Sequence, residues 1–248
     1  MKPGKHRRHM VIDLGNTRLK IGIFESDVLL HTEVYPATQN PIEIWEMWIS
    51  RWQPDRIAMA STAVINPEVR QWMENYGVVE VGSHLNYPFV IEYKTPLTLG
   101  QDRLAAVSAA NALYKRTNVL IIDCGTCITY DLLLREGRYV GGNIAPGIRM
   151  RLRSMHEFTA RLPKVDLPDE VQWIGQSTTE ALQNGGVSMA IMEARGLIFY
   201  LLEKYGSLRA VMTGGDAGVF HRHLPGKNEV VEHLVLIGLN EILKNNEI

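Results

Sequence analysis

The chain has 248 residues, a formal net charge of −1 at pH 7, 46% hydrophobic residues and 21% charged residues. This composition is ordinary for a globular protein and gives no electrostatic basis for binding nucleic acid or an anionic membrane. Two cysteines exclude a disulfide-rich scaffold and fit a reducing compartment.

Neither end of the chain nor any internal segment predicts membrane insertion. No apolar run approaches the roughly 20 residues of a membrane helix, because charged side chains interrupt the best candidate, residues 187–205. The basic stretch at residues 1–10 lacks the apolar core and cleavage site of a signal peptide. We predict that its His-Arg-Arg-His run, residues 6–9, is a solvated, frayed terminus.

The first half of the chain mixes strands and helices. An apolar strand at residues 10–12 ends in the turn Asp13-Leu14-Gly15-Asn16-Thr17, and an alternating strand follows at residues 19–24. The other elements predicted in this half are an amphipathic helix at residues 41–52, strands at residues 55–63 and 77–82, and an Ala-rich helix at residues 102–116.

The second half opens in the same way. A strand at residues 119–122 ends in Asp123-Cys124-Gly125-Thr126 and resumes at residues 127–134. The remaining predicted elements are a strand with a Gly/Pro loop at residues 137–147, helices at 149–161 and 180–205, a strand with a Gly-rich turn at 208–220 and a helix at 232–245. We predict two duplicated α/β domains, residues 1–116 and 117–248, each a mixed sheet flanked by helices, with a cleft between them.

The two Asp-x-Gly turns are suited to phosphate. Gly15 and Gly125 lack a Cβ, so backbone N–H groups can approach a bound oxygen closely. Additional side-chain donors are supplied by Asn16, Thr17, Thr126 and Thr129. Two ordinary hairpin turns are the alternative interpretation, and the matched pair favours a phosphate role.

Two aspartates would repel a phosphate unless a cation accompanies them. Asp13 and Asp123 therefore predict a bound cation with oxygen ligands, as in the metal complex of a nucleotide. Lys20, on the outgoing strand, could face the phosphates or the solvent.

The two cysteines are spaced Cys-x-x-Cys. A reactive pair of this type begins a helix, whose dipole lowers the thiol pKa, whereas Cys124 and Cys127 lie between two predicted strands. A zinc site lacks further ligands nearby, since the nearest histidine in the sequence, His156, is remote. The spacing is interpreted as coincidence, with Cys127 as a small core residue.

The segment Gly100-Gln101-Asp102-Arg103 begins the Ala-rich helix. Asp102 could be a plain N-cap or a general base, and Arg103 could hold a substrate anion together with the helix N-terminus. Gly-rich stretches at residues 141–147 and 213–218 could approach a nucleotide or form structural turns. Ser177 and Glu180 have the spacing of a capping box.

Taken together, these motifs resemble the type III pantothenate kinases, also called the Bvg accessory factor family, of the acetate kinase, sugar kinase, Hsp70 and actin superfamily. The motifs are D-x-G-N-T at 13–17 with Lys20, G-x-D-R at 100–103, D-x-G-T-x-x-T at 123–129, G-G-x-I-x-P-G at 141–147, G-x-S-T at 175–178 and T-G-G at 213–215. Cys127 departs from the small residue, such as alanine, that the family usually has there, and Gln101 falls at a variable position.

This resemblance implies two actin-like (ribonuclease H-like) domains and a cytoplasmic homodimer that phosphorylates pantothenate with ATP, the first step towards coenzyme A, without nucleic acid or membrane partners. It implies Asp102 as the catalytic base, Asp13 as a Mg²⁺ site through phosphate or water, Asp123 as a K⁺ or NH₄⁺ site, and residues 187–205 in the dimer interface. The implied pantothenate-binding residues are Tyr93, Gly100, Arg103 and, from the partner subunit, Thr178. The implied ATP-binding residues are Asp13, Gly15, Asn16, Thr17, Lys20, Gly125, Thr126, Thr129, Gly214 and Gly215.

Two alternatives to this function stay open at the level of the sequence. One is another small-molecule kinase of the same superfamily, with other groups at the G-x-D-R position. The other is a non-enzymatic ATP-binding regulatory protein, against which the intact Asp102 argues.

Overall fold

A computed structural model describes residues 7–246. Within this range the strands are β1 (Arg8–Leu14), β2 (Arg18–Glu25), β3 (Val28–Pro36), β4 (Arg56–Ser61), β5 (Val79–Glu80), β6 (Val90–Ile91), β7 (Val119–Cys124), β8 (Cys127–Leu134), β9 (Arg138–Pro146), β10 (Arg209–Thr213) and β11 (Lys227–Val230). The helices of the same range are α1 (Pro41–Trp52), α2 (Pro67–Asn75), α3 (Gln101–Leu113), α4 (Ile148–Glu157), α5 (Thr178–Gly186), α6 (Ser188–Tyr205), α7 (Ala217–His221) and α8 (Leu234–Asn245), with a short 3₁₀ helix at Pro96–Thr98.

These elements group into two compact units. Unit one comprises described residues 7–115, 137–139 and 233–246, and unit two comprises residues 116–136 and 140–232. The division into domains at residues 116 and 117 remains a prediction, and by compactness α8 belongs with unit one.

Unit one is built on a mixed sheet with the strand order β3-β2-β1-β4-β5. The pairs β1–β2 and β2–β3 are antiparallel, whereas β1–β4 and β4–β5 are parallel. Met10 and Ile12 of β1 pack in one apolar cluster with Trp45 of α1 and Trp72 of α2. Helices therefore cover this face of the sheet, and burial of the large aromatic side chains is a major source of its stability.

The sequence specifies the beginnings of α1 and α2 locally. Asn40 accepts a hydrogen bond from the backbone N–H of Ile42 at 3.1 Å, and Asn66 accepts one from Val69 at 2.8 Å. A proline occupies the first position of both helices, where its missing N–H costs nothing. The predicted helix at residues 41–52 is confirmed with the same bounds.

Helices α3 and α8 pack closely within unit one. An added Cβ at Gly238 of α8 would lie 1.7 Å from the carbonyl oxygen of Ala105 in α3. The alanines of α3 are buried over residues 103–110, so the Ala-rich pattern reflects close helix packing as well as helix propensity.

The start of β1 corrects one sequence prediction. Residues 1–6 lie outside the described residues, but Arg8 and His9 belong to β1 and are not frayed. His9 is 2% exposed, and its Nδ1 lies 2.7 Å from Oδ1 of Asn240 in α8.

Unit two contains the second mixed sheet, in the order β11-β10-β7-β8-β9. β10 is parallel to both β11 and β7, and β7 is antiparallel to β8. Ile122, Met212 and Phe220 pack in one apolar core with Ile191 and Ile198 of α6. The first two residues of β9, Arg138 and Tyr139, pair with β6 and belong to unit one. The prediction of an α/β fold with two mixed sheets flanked by helices is confirmed.

The stretch Thr178–Tyr205 is long and apolar enough to cross a membrane by length and composition alone, with a mean hydropathy of 1.3. The prediction that no run approaches this length therefore does not hold for this stretch. In the fold it forms α5 and α6 rather than the single predicted helix, and 44% of the apolar window is buried. Buried core helices of soluble proteins can have the same length and hydropathy, so this stretch is only weak evidence for a membrane span.

Candidate functional site

The Asp-x-Gly turn at residues 13–17, named the first phosphate turn after its predicted role, joins β1 and β2, which pair antiparallel as predicted. The N–H of Gly15 donates to the carbonyl oxygen of Arg18 at 3.0 Å and closes the turn. Asn16 and Thr17 are exposed at its tip, and Asn16 Nδ2 donates to the carbonyl oxygen of Thr62 at 3.4 Å. The turn thus presents polar side chains to the solvent from a fixed backbone.

Asp13 and Lys20 form an ion pair beneath this turn. They are register partners across β1 and β2, and Lys20 Nζ lies 3.4 Å from Asp13 Oδ2. The Asp13 side chain is only 13% exposed. Burial raises the pKa of this carboxyl above its ordinary value, and the charge of Lys20 opposes the increase. A carboxylate in this environment gains stability from a further cation.

The segment Gly100–Arg103 lies at the N-terminus of α3. Gly100 is the N-cap residue, so the interpretation of Asp102 as a plain N-cap is wrong. Asp102 occupies the first turn, and its Oδ1 accepts a hydrogen bond from the N–H of Arg103 at 2.8 Å. An added Cβ at Gly100 would lie 2.7 Å from this oxygen, so glycine leaves room for the carboxylate.

Arg103, the residue after Asp102, lies against the ring of Tyr93. The Arg103 guanidinium carbon lies 5.6 Å from the centre of the Tyr93 ring, and Arg103 is only 4% exposed. A buried cation in the first turn of a helix opposes the helix dipole. The arrangement is suited to an anion that both the arginine and the helix N-terminus can bind.

The second phosphate turn joins β7 and β8 in unit two. The N–H of Gly125 donates to the carbonyl oxygen of Cys127 at 3.0 Å. Asp123 pairs in register with Thr129 of β8 and with Thr213 of β10. The predicted residues Asp123 and Thr129 are thus adjacent, and Thr126 is exposed at the tip of the turn.

Two glycines from later motifs cover this second turn. An added Cβ at Gly147 would lie 2.4 Å from the carbonyl oxygens of Gly125 and Thr126. Gly214 has a φ of +90°, and an added Cβ there would lie 2.5 Å from Asp123 Oδ1. The G-G-x-I-x-P-G and T-G-G motifs therefore share one structural role, since both allow close approach to the D-x-G-T turn.

Asp216 and Arg149 also belong to this region, and the sequence argument did not assign them. The N–H of Asp216 donates to the carbonyl oxygen of Cys124 at 3.1 Å. Arg149 Nη1 donates to Asp216 Oδ1 at 2.6 Å, although the arginine side chain is 69% exposed. In the sequence, Arg149 lies two residues after the P-G dipeptide at 146–147, and Asp216 directly follows T-G-G. These two positions are the signal by which both residues could have been predicted. Gly215 lies exposed beside Asp216.

Both cysteines are free thiols between two strands. Cys124 is 1% exposed and packs in the apolar core, whereas Cys127 is only half-buried. The prediction that Cys127 is the core residue is therefore wrong, and Cys124 has that role. Burial raises the pKa of the Cys124 thiol, and the nearby Asp123 and Asp216 raise it further.

The remaining predicted ligand residue, Thr178, begins α5 and is exposed. Ser177 is the N-cap and accepts a hydrogen bond from the N–H of Glu180 at 3.2 Å. Glu180 accepts from the N–H of Gln176 at 2.6 Å, so the capping box is shifted by one residue. Among residues 7–246, no group of three or more His, Cys, Asp or Glu side chains is placed to hold a metal ion by itself.

The solved structures most useful for comparison share the fold at low sequence identity. A Campylobacter jejuni protein named as a Baf family transcriptional activator aligns with a TM-score of 0.59 and 19% identity, covering 96% of this chain and 98% of that one. A ROK hexokinase from Thermus thermophilus aligns with a TM-score of 0.50 and 15% identity, covering 95% and 98%. At these identities the likeness shows the fold alone, and it agrees with the predicted actin-like architecture.

Comparison of sequences identifies the family, which the likeness of folds does not. A profile of the family described as type III pantothenate kinase matches residues 9–199. A type III pantothenate kinase of Phocaeicola vulgatus is 39% identical over 241 residues, covering 96% of this chain and 99% of the relative. One from Christiangramia forsetii is 36% identical over 243 residues, covering 96% and 99%. The chain therefore belongs to the type III pantothenate kinase family.

Proposed function

We propose that the protein transfers the γ-phosphoryl group of ATP to the primary hydroxyl of pantothenate. The product is 4′-phosphopantothenate, and the reaction is the first step of coenzyme A biosynthesis. The observation that carries the proposal is the segment Gly100–Arg103, which places an acid and a buried arginine in the first turn of one helix. Near-full-length relatives named type III pantothenate kinase support the choice of substrates.

Asp102 is the proposed general base. Its carboxylate accepts the proton of the pantothenate hydroxyl as the hydroxyl oxygen forms a bond to the γ-phosphorus and the bond to ADP breaks. The hydrogen bond from the Arg103 N–H to Asp102 Oδ1 holds one carboxylate oxygen in place.

Gly100, Tyr93 and Arg103 are the proposed pantothenate-binding residues in this chain. Pantothenate carries a carboxylate, which the Arg103 guanidinium and the N-terminus of α3 can bind together. The contact between Arg103 and the Tyr93 ring supports this assignment, because it limits the positions available to the arginine.

The two Asp-x-Gly turns are the proposed ATP-binding elements. The proposed ATP-binding residues of unit one are Asp13, Gly15, Asn16, Thr17 and Lys20, and those of unit two are Gly125, Thr126 and Thr129, together with Gly214 and Gly215 of the T-G-G motif. Exposed side chains at both turn tips support the assignment, since Asn16, Thr17 and Thr126 can donate to phosphate oxygens.

Mg²⁺ and a monovalent cation, K⁺ or NH₄⁺, are the proposed inorganic cofactors. The residues fit them, because Asp13 and Asp123 offer the carboxylate oxygens that hard cations prefer, and the largely buried Asp13 carboxylate already pairs with the Lys20 ammonium at 3.4 Å. When bound with ATP, the cations neutralise charge that develops on the transferred phosphoryl group.

A homodimer in the cytoplasm is the proposed state of the enzyme, with Thr178 contributing to the partner's pantothenate site. Helix α6 supports the dimer, because Met189, Met192, Phe199 and Tyr200 expose 44%, 47%, 53% and 57% of their surface on a helix whose opposite face is buried. Free thiols and ATP as a substrate support a cytoplasmic location.

A turnover assay tests the function directly. Purified protein incubated with pantothenate, ATP, Mg²⁺ and K⁺ should release ADP and 4′-phosphopantothenate in equal amounts, measured by coupled ADP detection and mass spectrometry. Parallel reactions replace K⁺ with NH₄⁺ and pantothenate with other small alcohols. No phosphopantothenate with either cation would contradict the proposal, and faster phosphorylation of another alcohol would favour a different small-molecule kinase.

The role of Asp102 has its own test. Asp102→Asn should lower kcat by at least about 10²-fold, the effect expected when a general base is lost. The variant should still bind ATP and pantothenate by calorimetry, because the amide keeps the size of the side chain. Activity near that of the wild type would show that another group is the base.

A further inference from the structure

Gln101, the residue before the proposed base, bridges two separate parts of unit one. Its Oε1 accepts a hydrogen bond from the backbone N–H of Ser61 at 2.7 Å, at the end of β4. Its Nε2 donates to Oε1 of Glu80 at 3.1 Å, in β5. The side chain therefore ties the N-terminus of α3 to two neighbouring strands of the sheet.

The Ser61 end of this bridge continues into the first phosphate turn. Ser61 pairs in register with Leu14 of β1, and the N–H of Thr62 donates to the carbonyl oxygen of Leu14 at 3.0 Å. The carbonyl oxygen of Thr62 in turn accepts from Asn16 in the turn itself. A chain of hydrogen bonds thus connects the helix of Asp102 with the turn of Asp13 and Asn16.

The Glu80 end fixes the orientation of the amide. The other carboxylate oxygen of Glu80 accepts a hydrogen bond from the Arg70 guanidinium of α2. Glu80 is thereby held as an acceptor towards Gln101, so the Gln101 nitrogen points to Glu80 and its oxygen to Ser61. Only a side chain that donates at one atom and accepts at the other satisfies both partners.

We propose that Gln101 is a positioning residue, which fixes the base Asp102 relative to the first phosphate turn. The proposal rests on the proposed role of Asp102. Phosphoryl transfer depends chiefly on positioning, so a small displacement between the base and the phosphate-binding backbone lowers the rate. Among the described residues, the Glu80 side chain hydrogen-bonds to Arg70 and to Gln101, so the effect of Arg70 and Glu80 on the base should act through Gln101.

Gln101→Ala is the first test. It removes both hydrogen bonds and should lower kcat at least about tenfold, given that misplacement by about 1 Å can cost 10²-fold. The KM values for ATP and pantothenate should change less than about threefold, because the groups assigned to substrate binding remain. The matched control is Asn118→Ala. Asn118 is a bridging amide of unit two, which accepts from the backbone N–H of Arg135 at 2.9 Å, as Gln101 does from Ser61, and donates to the carbonyl oxygen of Ser207 at 3.0 Å.

The control separates positioning from stability. Both variants leave a backbone N–H without its amide partner, so both should lower Tm by similar amounts. Only Gln101→Ala should lower kcat per folded enzyme, with the folded fraction measured by circular dichroism. An equal loss of kcat in Asn118→Ala would overturn the proposal, as would a Gln101→Ala enzyme with wild-type kcat.

Exchanging the hydrogen-bond donor and acceptor between positions 101 and 80 provides a rescue test that does not depend on the stability of the alanine variant. Gln101→Glu keeps the acceptor for Ser61 but places a second carboxylate against Glu80, so kcat should fall at least about fivefold. Adding Glu80→Gln restores a donor facing an acceptor, and kcat should return to within about threefold of the wild type. A double variant no faster than Gln101→Glu alone would contradict the proposed bridge.

Failure of this inference is distinguishable from failure of the base assignment. If Asp102→Asn is inactive while every Gln101 variant has wild-type kcat, Asp102 remains the base and the positioning role is wrong. If Asp102→Asn is fully active, the base assignment fails first and the positioning role fails with it.

Discussion

The two Asp-x-Gly turns are each closed by one backbone hydrogen bond from the glycine, but they have different surroundings. Gly15 and Gly125 each donate at 3.0 Å to a carbonyl oxygen two or three residues ahead. Opposite Asp13 in the first hairpin stands Lys20, whereas opposite Asp123 in the second stands Thr129. Loops carrying Gly147 and Gly214 approach the second turn, and an added Cβ at either glycine would collide with it.

The comparison distinguishes the structure of the turn itself from the contacts and charges that its surroundings provide. The Asp-x-Gly turn itself is local, since one backbone hydrogen bond closes it in both hairpins. The charges around the turns are not local, because Asp13 of the first hairpin pairs with Lys20 on the adjoining strand, whereas Asp216, whose N–H contacts the second hairpin, pairs with Arg149 from α4. The two turns thus share the motif but differ in the charges around them and by one residue in loop length, since Leu14 lies opposite Leu19 in the first hairpin and Cys124 opposite Ile128 in the second.

The largest predicted losses of stability come from adding a methyl group at the glycines in or against the two turns, because the space around these glycines differs. Gly147→Ala should destabilise the protein by about 1–3 kcal/mol or more, as overpacking against a fixed backbone does, because its Cβ would lie 2.4 Å from two carbonyl oxygens. Gly15→Ala should cost less, with a closest approach of 3.0 Å to the Arg18 oxygen. Gly125→Ala should cost least, since its nearest neighbour lies at 3.5 Å. Denaturant unfolding of the three variants gives the order, and a Gly125 variant less stable than the Gly147 variant would contradict it.

Asp13→Asn should stabilise the ligand-free protein at neutral pH while lowering activity. Because burial raises the pKa of Asp13 above 3.8 in the folded state, folding is penalised as the pH rises through that raised value and beyond. The variant lacks this penalty, so its Tm should exceed that of the wild type at pH 7. The difference should shrink as the pH falls towards 3.8. Calorimetry across this range tests the sign, and a lower Tm at pH 7 would refute it.

The ion pairs beside the two turns should also differ in their contribution to stability, but here the pair at the first turn should contribute more. Arg149→Met breaks a pair whose arginine is 69% exposed, so the loss of stability should stay below about 1 kcal/mol. Lys20→Met should cost more, because Lys20 and Asp13 are only 30% and 13% exposed and the carboxylate would lose the charge that lowers its pKa. Thermal unfolding of both variants at low and high salt measures the difference. Equal losses would show that burial does not separate the two pairs.

The cysteines should give the smallest effect. Cys127→Ser should change stability by less than about 0.5 kcal/mol, as is usual away from the core, and should leave kinase activity unchanged. In the folded protein a thiol reagent should modify Cys127 and leave Cys124 unmodified until the protein unfolds, because Cys124 is buried and its thiol pKa is raised. Rapid modification of both thiols in the native protein would revive the redox alternative.

Much of the local structure could be predicted because it depends on neighbours in the sequence. The bounds of α1 follow from an Asn-Pro start and an amphipathic pattern, and the two hairpins follow from strand, Asp-x-Gly turn and strand. The predicted strand at residues 77–82 is much shorter, with only Val79–Glu80 in the sheet, because its pairing with β4 covers two residues.

The parts that could not be predicted depend on contacts between distant residues. His9 looked like part of a basic tail, and its partner Asn240 lies 231 residues away. Gln101 occupied a position without an assigned role, and its partners Ser61 and Glu80 precede it by 40 and 21 residues. The buried position of Cys124 was not predicted, because both faces of β7 are largely buried, a property that the alternation of residues along one strand does not reveal.

The position of α8 has a consequence for how the protein forms during synthesis. This helix packs on α3 through Gly238 and Ala105 and holds His9 through Asn240, yet it follows all of unit two in the chain. The core of unit one therefore cannot be completed on the ribosome until residues 234–245 have emerged. Unit two has by then been fully translated, so its chain is available to complete its core before unit one can complete its own.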